Sequence, residues 1–149
     1  MPTEPTSQSA AGGVVSTYAG QRLGLPEEGP GSVAGWGRRF LALFLDWFAS
    51  LLVAGAIAGR GVTSAHGWRA WLPLLVFMVE SAFLVALVGG SFGQLITRIA
   101  VVRRTGRPVS LLRALLRSVL VCLVVPPLVF NRDHRGLHDL AADTVTLRR

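Results

Sequence analysis

Two stretches decide the fold: FLALFLDWFASLLVAGAIA at residues 40–58 and AWLPLLVFMVESAFLVALVGG at residues 70–90. Each is about twenty residues of almost unbroken apolar side chain, the length at which an α-helix crosses the hydrocarbon of a bilayer. Lipid offers the backbone no hydrogen-bond partner, so a spanning segment must satisfy its own N–H and C=O groups, as a helix does. Each stretch also carries one acid, Asp46 in the first and Glu80 in the second. A carboxylate at such a depth costs roughly 2.5–3.5 kcal/mol on insertion scales and needs a partner, a proton or water. The two acids therefore mark an intramembrane polar site.

The rest of the composition agrees. Of 149 residues, 51% are hydrophobic and only 15% charged, where a soluble domain would carry about 25% charge. Three apolar blocks so close together read as one small membrane domain. The net charge is +7 and all 15 basic residues are arginine. These arginines flank the apolar blocks, the pattern that orients inner-membrane proteins and meets anionic lipid. With no aromatic-interleaved basic motif, no nucleic-acid partner is expected. The single Cys122 lies in an apolar run and reads as a buried inert thiol. No Gly-rich phosphate loop, nucleophile elbow or Ser/His/Asp order is present, so neither enzyme activity nor a cofactor is expected.

Residues 1–35 are rich in Ser, Thr, Gly and Pro and lack the basic start and apolar core of a signal peptide. They read as a disordered cytoplasmic tail ahead of a membrane domain at 36–149. Arg38 and Arg39 mark the start of the first helix. Gly55 and Gly59 have the GxxxG spacing that lets another helix approach closely, although glycine is also simply common in membrane helices. Trp68 and Trp71 follow the short connecting loop, as interfacial anchors do. After the second helix come Arg98, Arg103, Arg104 and Arg107 with no acid among them. The positive-inside rule makes this segment, and hence the N-terminus, cytoplasmic.

Within that segment Ile99-Ala100-Val101-Val102 looks like a short strand, followed by a Thr105–Pro108 turn. Thr144-Val145-Thr146-Leu147 has the same β-branched character, and the two are expected to pair. The third apolar block, residues 111–130, contains Arg113 and Arg117, and Pro126-Pro127 interrupts it. Its charge-free part, Ser118 to Phe130, is shorter than the roughly 17 residues a span needs. A complete span would also place Arg132, Arg135, Arg148 and Arg149 outside. The expected fold class is thus an all-α membrane protein with two transmembrane helices, a third bent or re-entrant apolar helix and a short cytoplasmic β-pairing. Three full spans is the alternative.

Arg39 and Asp46 share a helical face but stand about 10 Å apart along the axis, so each is expected to meet a charge from elsewhere. Antiparallel packing brings Glu80 to a similar depth, with Arg113 and Arg117 available as counter-charges. A partnered carboxylate stays ionised; one left among apolar groups takes a proton. The first outcome is a structural clamp, the second a group able to bind and release H⁺ or a cation. His134 and His138 have the i, i+4 spacing of paired metal ligands, but Gly136 intervenes and no third ligand accompanies them. Hydrogen bonding is the expectation there, and no metal site.

Three motifs together resemble the RDD family of bacterial membrane proteins, named for one arginine and two aspartates. RFLALFLD at 39–46 is similar to its first-helix motif, and RGLHDLAADTVTL at 135–147 to its closing motif. Between them, GGSFGQLITRIAVVRRTGRPVSLLRALLR at 89–117 resembles its linker, with Gln94 where lysine is common and Arg117 in the second Leu-Arg pair. On that match Arg39 is the arginine, and Asp46 and Asp139 are the two aspartates. The resemblance runs over about residues 36–147. It implies a multipass protein of the bacterial plasma membrane; transport has been suggested for the family, and some members are associated with sodium or proton exchange.

The leading expectation is ion or small-solute translocation through a homo-oligomer, since two helices cannot enclose a path. Asp46 would be the ion- or proton-binding carboxylate and Glu80 an auxiliary acid. Arg39 and Arg117 would serve as counter-charges and Asp139 as a gate or clamp. The rival is a non-transporting accessory subunit docked on a larger membrane complex through its GxxxG face. Binding of anionic lipid headgroups at the arginine-rich face is a third reading.

Overall fold

A computed structural model describes residues 17–59, 66–123 and 135–149. The two apolar stretches form its long helices, α1 (Trp36–Ala58) and α2 (Leu72–Val88), the second continuing from a 3-10 turn over Gly67–Trp71. Both are long and apolar enough to cross a membrane. α2 stops where Gly89 turns left-handed, at φ 76°, and its N–H closes back on the Val85 carbonyl, a conformation that a residue with a Cβ adopts at a cost.

Burial along these helices is inverted relative to a soluble core. Only 22% of the α1 apolar window and 28% of the α2 window is buried. The buried positions of α1 are Ala42, Asp46, Ser50 and Ala54, one i, i+4 row of small and polar side chains. Phe44, Phe48, Leu52 and Ile57 are exposed instead. On α2, Ser81 and Ala82 face inward while Val79, Phe83 and Leu87 face out. A water-soluble helix hides its large apolar side chains. Small residues at the helix contacts with large apolar ones outside suit hydrocarbon surroundings.

After α2 come a short helix, α3 (Phe92–Ile96), a strand, β1 (Ile99–Arg103), and then α4 (Leu111–Cys122). The chain closes with α5 (Leu137–Ala141) and β2 (Thr144–Arg148). β1 and β2 pair antiparallel, Val101 opposite Thr146 and Arg103 opposite Thr144. The backbone ahead of α1 runs along the other side of β2: Gly31 and Ala34 N–H groups donate to the Arg148 and Thr146 carbonyls, each at 2.9 Å. Part of the stretch read as a tail is thereby tied to the sheet, because a strand edge exposes N–H and C=O groups that an extended neighbour satisfies.

The sheet sits at one end of the helices. Val101 N–H donates to the Gly89 carbonyl at 2.7 Å, and the Arg149 guanidinium to the Val88 carbonyl at 2.6 Å. α2 packs against both α1 and α4. Ala114 of α4 shares a core with Val85, and Ser118 hydroxyl donates to Ser81 hydroxyl at 3.2 Å, so α4 runs antiparallel to α2. The remainder of the third apolar block, including Pro126-Pro127, lies outside the described residues. The described architecture is mostly helical, with one two-stranded sheet.

Candidate functional site

Asp139 is wholly buried on α5. Its Oδ1 accepts from Arg117 Nε and from Thr144 Oγ1, both at 3.1 Å. Its Oδ2 accepts from Thr146 Oγ1 at 3.1 Å and from Arg39 Nη1 at 3.4 Å. The two threonines reach it together because residues i and i+2 of a strand point to one face. Burial by itself would raise the Asp139 carboxyl, but the charges of Arg117, His138 and Arg39, with the Arg117 hydrogen bond, outweigh it and bring the group down to about 2. Asp139 is a fixed anion that ties α1, α4, α5 and β2 together. The arginines tighten the same knot through backbone oxygens. Arg39 Nε donates to the Ala34 carbonyl at 3.0 Å, and Arg135 Nε to the Thr144 carbonyl at 2.9 Å.

Asp46 and Glu80 converge elsewhere, on the first turn of α3. Asp46 Oδ2 accepts the Ser91 hydroxyl at 2.6 Å, and its Oδ1 accepts the Gly93 N–H. Glu80 Oε1 accepts the Phe92 N–H at 2.9 Å, while its Oε2 is buried with no hydrogen bond among the described residues. The first turn of a helix leaves N–H groups unpaired, and carboxylates satisfy them. Neither acid forms an ion pair among the described residues. The direct ion pairs of Arg39 and Arg117 are with Asp139, and the Arg117 charge reaches Asp46 only at longer range.

Close approach of α3 to α1 makes this possible, and Gly93 permits it. A Cβ at that position would lie 2.0 Å from the Ala42 carbonyl oxygen and 3.0 Å from Asp46 Oδ1. Gln94 completes a capping box, its side-chain carbonyl accepting the Ser91 N–H at 3.0 Å. A lysine there could not accept that bond.

α1 and α4 flank α2 and leave a cleft between them, a cavity of about 240 Å³. Arg39, Arg117, His138 and Thr146 line one part of it; Asp46, Ser81 and Ser91 line another. Gln94 also borders it, and its apolar walls include Phe40, Leu43, Phe77 and Val121. The structure thus brings Arg39, Arg117 and Asp139 into direct contact and holds Asp46 and Glu80 at a second focus. Gly55 meets no atom of a packed neighbour among the described residues, and Gly59 ends α1 at φ 80°. Arg113 works at the surface, donating to the Ala142 carbonyl at 3.1 Å. His138 is buried beside Asp139, its Nε2 3.6 Å from Oδ1, whereas His134 lies outside the described residues. Among the described residues no group of three or more His, Cys, Asp or Glu side chains is gathered for a metal.

A family model, described as the RDD family, matches residues 33–143. The chain belongs to the RDD family. Neither a curated protein nor a solved structure matches it. Arg39 and Asp139, which the sequence resemblance matches to the family's arginine and second aspartate, form the ion pair at the sheet, joined across 100 residues of sequence. Asp46, matched to the first aspartate, serves α3. Sequence reading missed Thr146, Ser91 and Gly93 as partners of these aspartates. The alternation of Thr144 and Thr146 along a strand was a usable signal for the first. Ser91 and Gly93 lie within the quoted linker motif, but nothing local says which helix they approach.

Proposed function

We propose that this RDD protein is a non-enzymatic multipass protein of the bacterial plasma membrane that moves an ion or small solute through an oligomer. The observation carrying this reading is the second focus. Two acids from two apolar helices meet at α3, Asp46 beside the cavity, and neither makes an ion pair among the described residues. A carboxylate held by neutral donors can change its proton or cation occupancy without breaking a salt bridge, whereas Asp139 is locked. Asp46 is the binding carboxylate, Glu80 the auxiliary acid, and the Arg39–Asp139–Arg117 knot the frame.

The same reading puts the sheet on the cytoplasmic side, with the N-terminus. Arg98, Arg103, Arg104, Arg107 and Arg148 all belong to that end of the molecule. α4 leaves the sheet end alongside α2, and Asp139 lies beside Arg117 of that helix, which supports a third apolar block that does not cross the membrane fully. The test is flux in liposomes. Purified wild-type protein should dissipate an imposed H⁺ or Na⁺ gradient and Asp46→Asn should not; equal rates from the two, or none from either, would discard translocation.

The accessory-subunit reading draws on the uncovered Gly55 face of α1, which is open to another helix. Affinity purification from native membrane separates the two. A stoichiometric larger partner favours the accessory role, self-association the transport role.

A further inference from the structure

Arg117 is 4% exposed and donates to Asp139 through Nε alone. Neither of its Nη groups donates to any described residue, and Arg117 lines the cleft between α1 and α4. A guanidinium bound through Nε, with its Nη groups left to the cleft, has part of its planar fork available for a bidentate oxyanion. Asp139 alone does not balance it, for Arg39 and Arg117 share that one carboxylate. Asp46 also lines the cleft, but Ser91 and Gly93 occupy its two oxygens.

Polar side chains (Ser81, Gln94, His138 and Thr146) complete part of the cleft lining, and the remaining walls are apolar. Its α1 side runs from Trp36 to Asp46, about 15 Å along the helix axis. Phe40 and Leu43 on that side are 53% and 40% exposed, so the cleft reaches the outer surface of the helix layer. A free inorganic anion would leave those walls bare; an acyl chain would cover them.

We propose that the cleft binds one anionic amphiphile from the surrounding membrane, with its phosphate or carboxylate on the Arg117 Nη groups and its acyl chain between Phe40 and Val121. Asp46 borders the same cleft, but neither it nor Glu80 takes part in holding the head.

Native mass spectrometry of the full chain, delipidated in nonionic detergent, tests this with three probes: dioleoyl phosphatidylglycerol, dioleoyl phosphatidylcholine and oleate. One phosphatidylglycerol should bind, about tenfold tighter than phosphatidylcholine, the margin that charge-assisted hydrogen bonds supply. Oleate competing for that site identifies a carboxylate source as well, and oleate failing to compete restricts the site to phospholipid. Val121→Trp, which fills the cleft, should weaken the adduct at least tenfold. Leu112→Trp, on the outer face of α4, should leave it unchanged. Leu43→Trp gives the same readout from the opposite wall if Val121→Trp does not fold. Equal binding of the two phospholipids, full binding by a cleft-filling variant, or equal losses from Leu112→Trp and Val121→Trp would overturn the assignment.

Discussion

Asp139 accepts from two guanidiniums and two threonine hydroxyls with no surface left to water. Removing one partner from a buried ion cluster strands the others, at about 3–5 kcal/mol. Asp139→Asn should therefore destabilise the protein in detergent by an amount of that order, read as a lower melting temperature. The pH dependence has a definite sign. Asp139 sits near 2 against an ordinary 3.8, so its contribution is complete above pH 3.8 and is lost as pH falls towards 2. Wild type should lose stability across that window by more than Asp139→Asn does, as measured by thermal scans at stepped pH. Gly93→Ala makes a different demand, forcing a methyl group against the Ala42 carbonyl. Overpacking of this kind costs about 1–3 kcal/mol, and Gly93→Ala should melt earlier by a corresponding margin. At this scale the sequence named the charged residues but not their pairing. Arg117 was expected opposite the intramembrane acids, yet its direct partner is Asp139, because Coulomb attraction is greatest at a carboxylate excluded from water, which no spacing reveals.

Element by element, α1 and α2 were legible because hydrocarbon thickness fixes both their length and their composition. The strands Ile99–Arg103 and Thr144–Arg148 were visible as β-branched runs, and they pair in the structure. α3 was not foreseen as a helix. It is five residues long; a local capping box starts it, and its long-range partners are Asp46 and Glu80. So short a helix has almost no intrinsic stability. The outward face of α1 supports a prediction of its own. Phe48 is 54% exposed, so Phe48→Leu should be silent if that surface faces lipid. Phe48→Arg should cost roughly 2.5–3.5 kcal/mol of insertion, read as loss of α1 from the carbonate-resistant membrane fraction.

For the whole molecule, the arrangement of the arginines gives a two-sided test. In a Cys122→Ala background, Thr105→Cys and His66→Cys lie at opposite ends of the helix pair. A membrane-impermeant maleimide applied to intact cells should label His66→Cys alone, and Thr105→Cys only after permeabilisation; the reverse pattern would invert the topology. One further consequence concerns biogenesis. Arg39 enters the translocation machinery about a hundred residues before its anion Asp139 has been synthesised. At 5–20 residues per second, that interval is roughly 5–20 s. During it α1 carries an unmatched cation at its leading turn, and the knot is tied only after both hairpin helices have been delivered. A nascent chain stalled between residues 88 and 139 should be an orphan that quality-control proteases recognise, so ribosome pausing in this window would set the yield of folded protein.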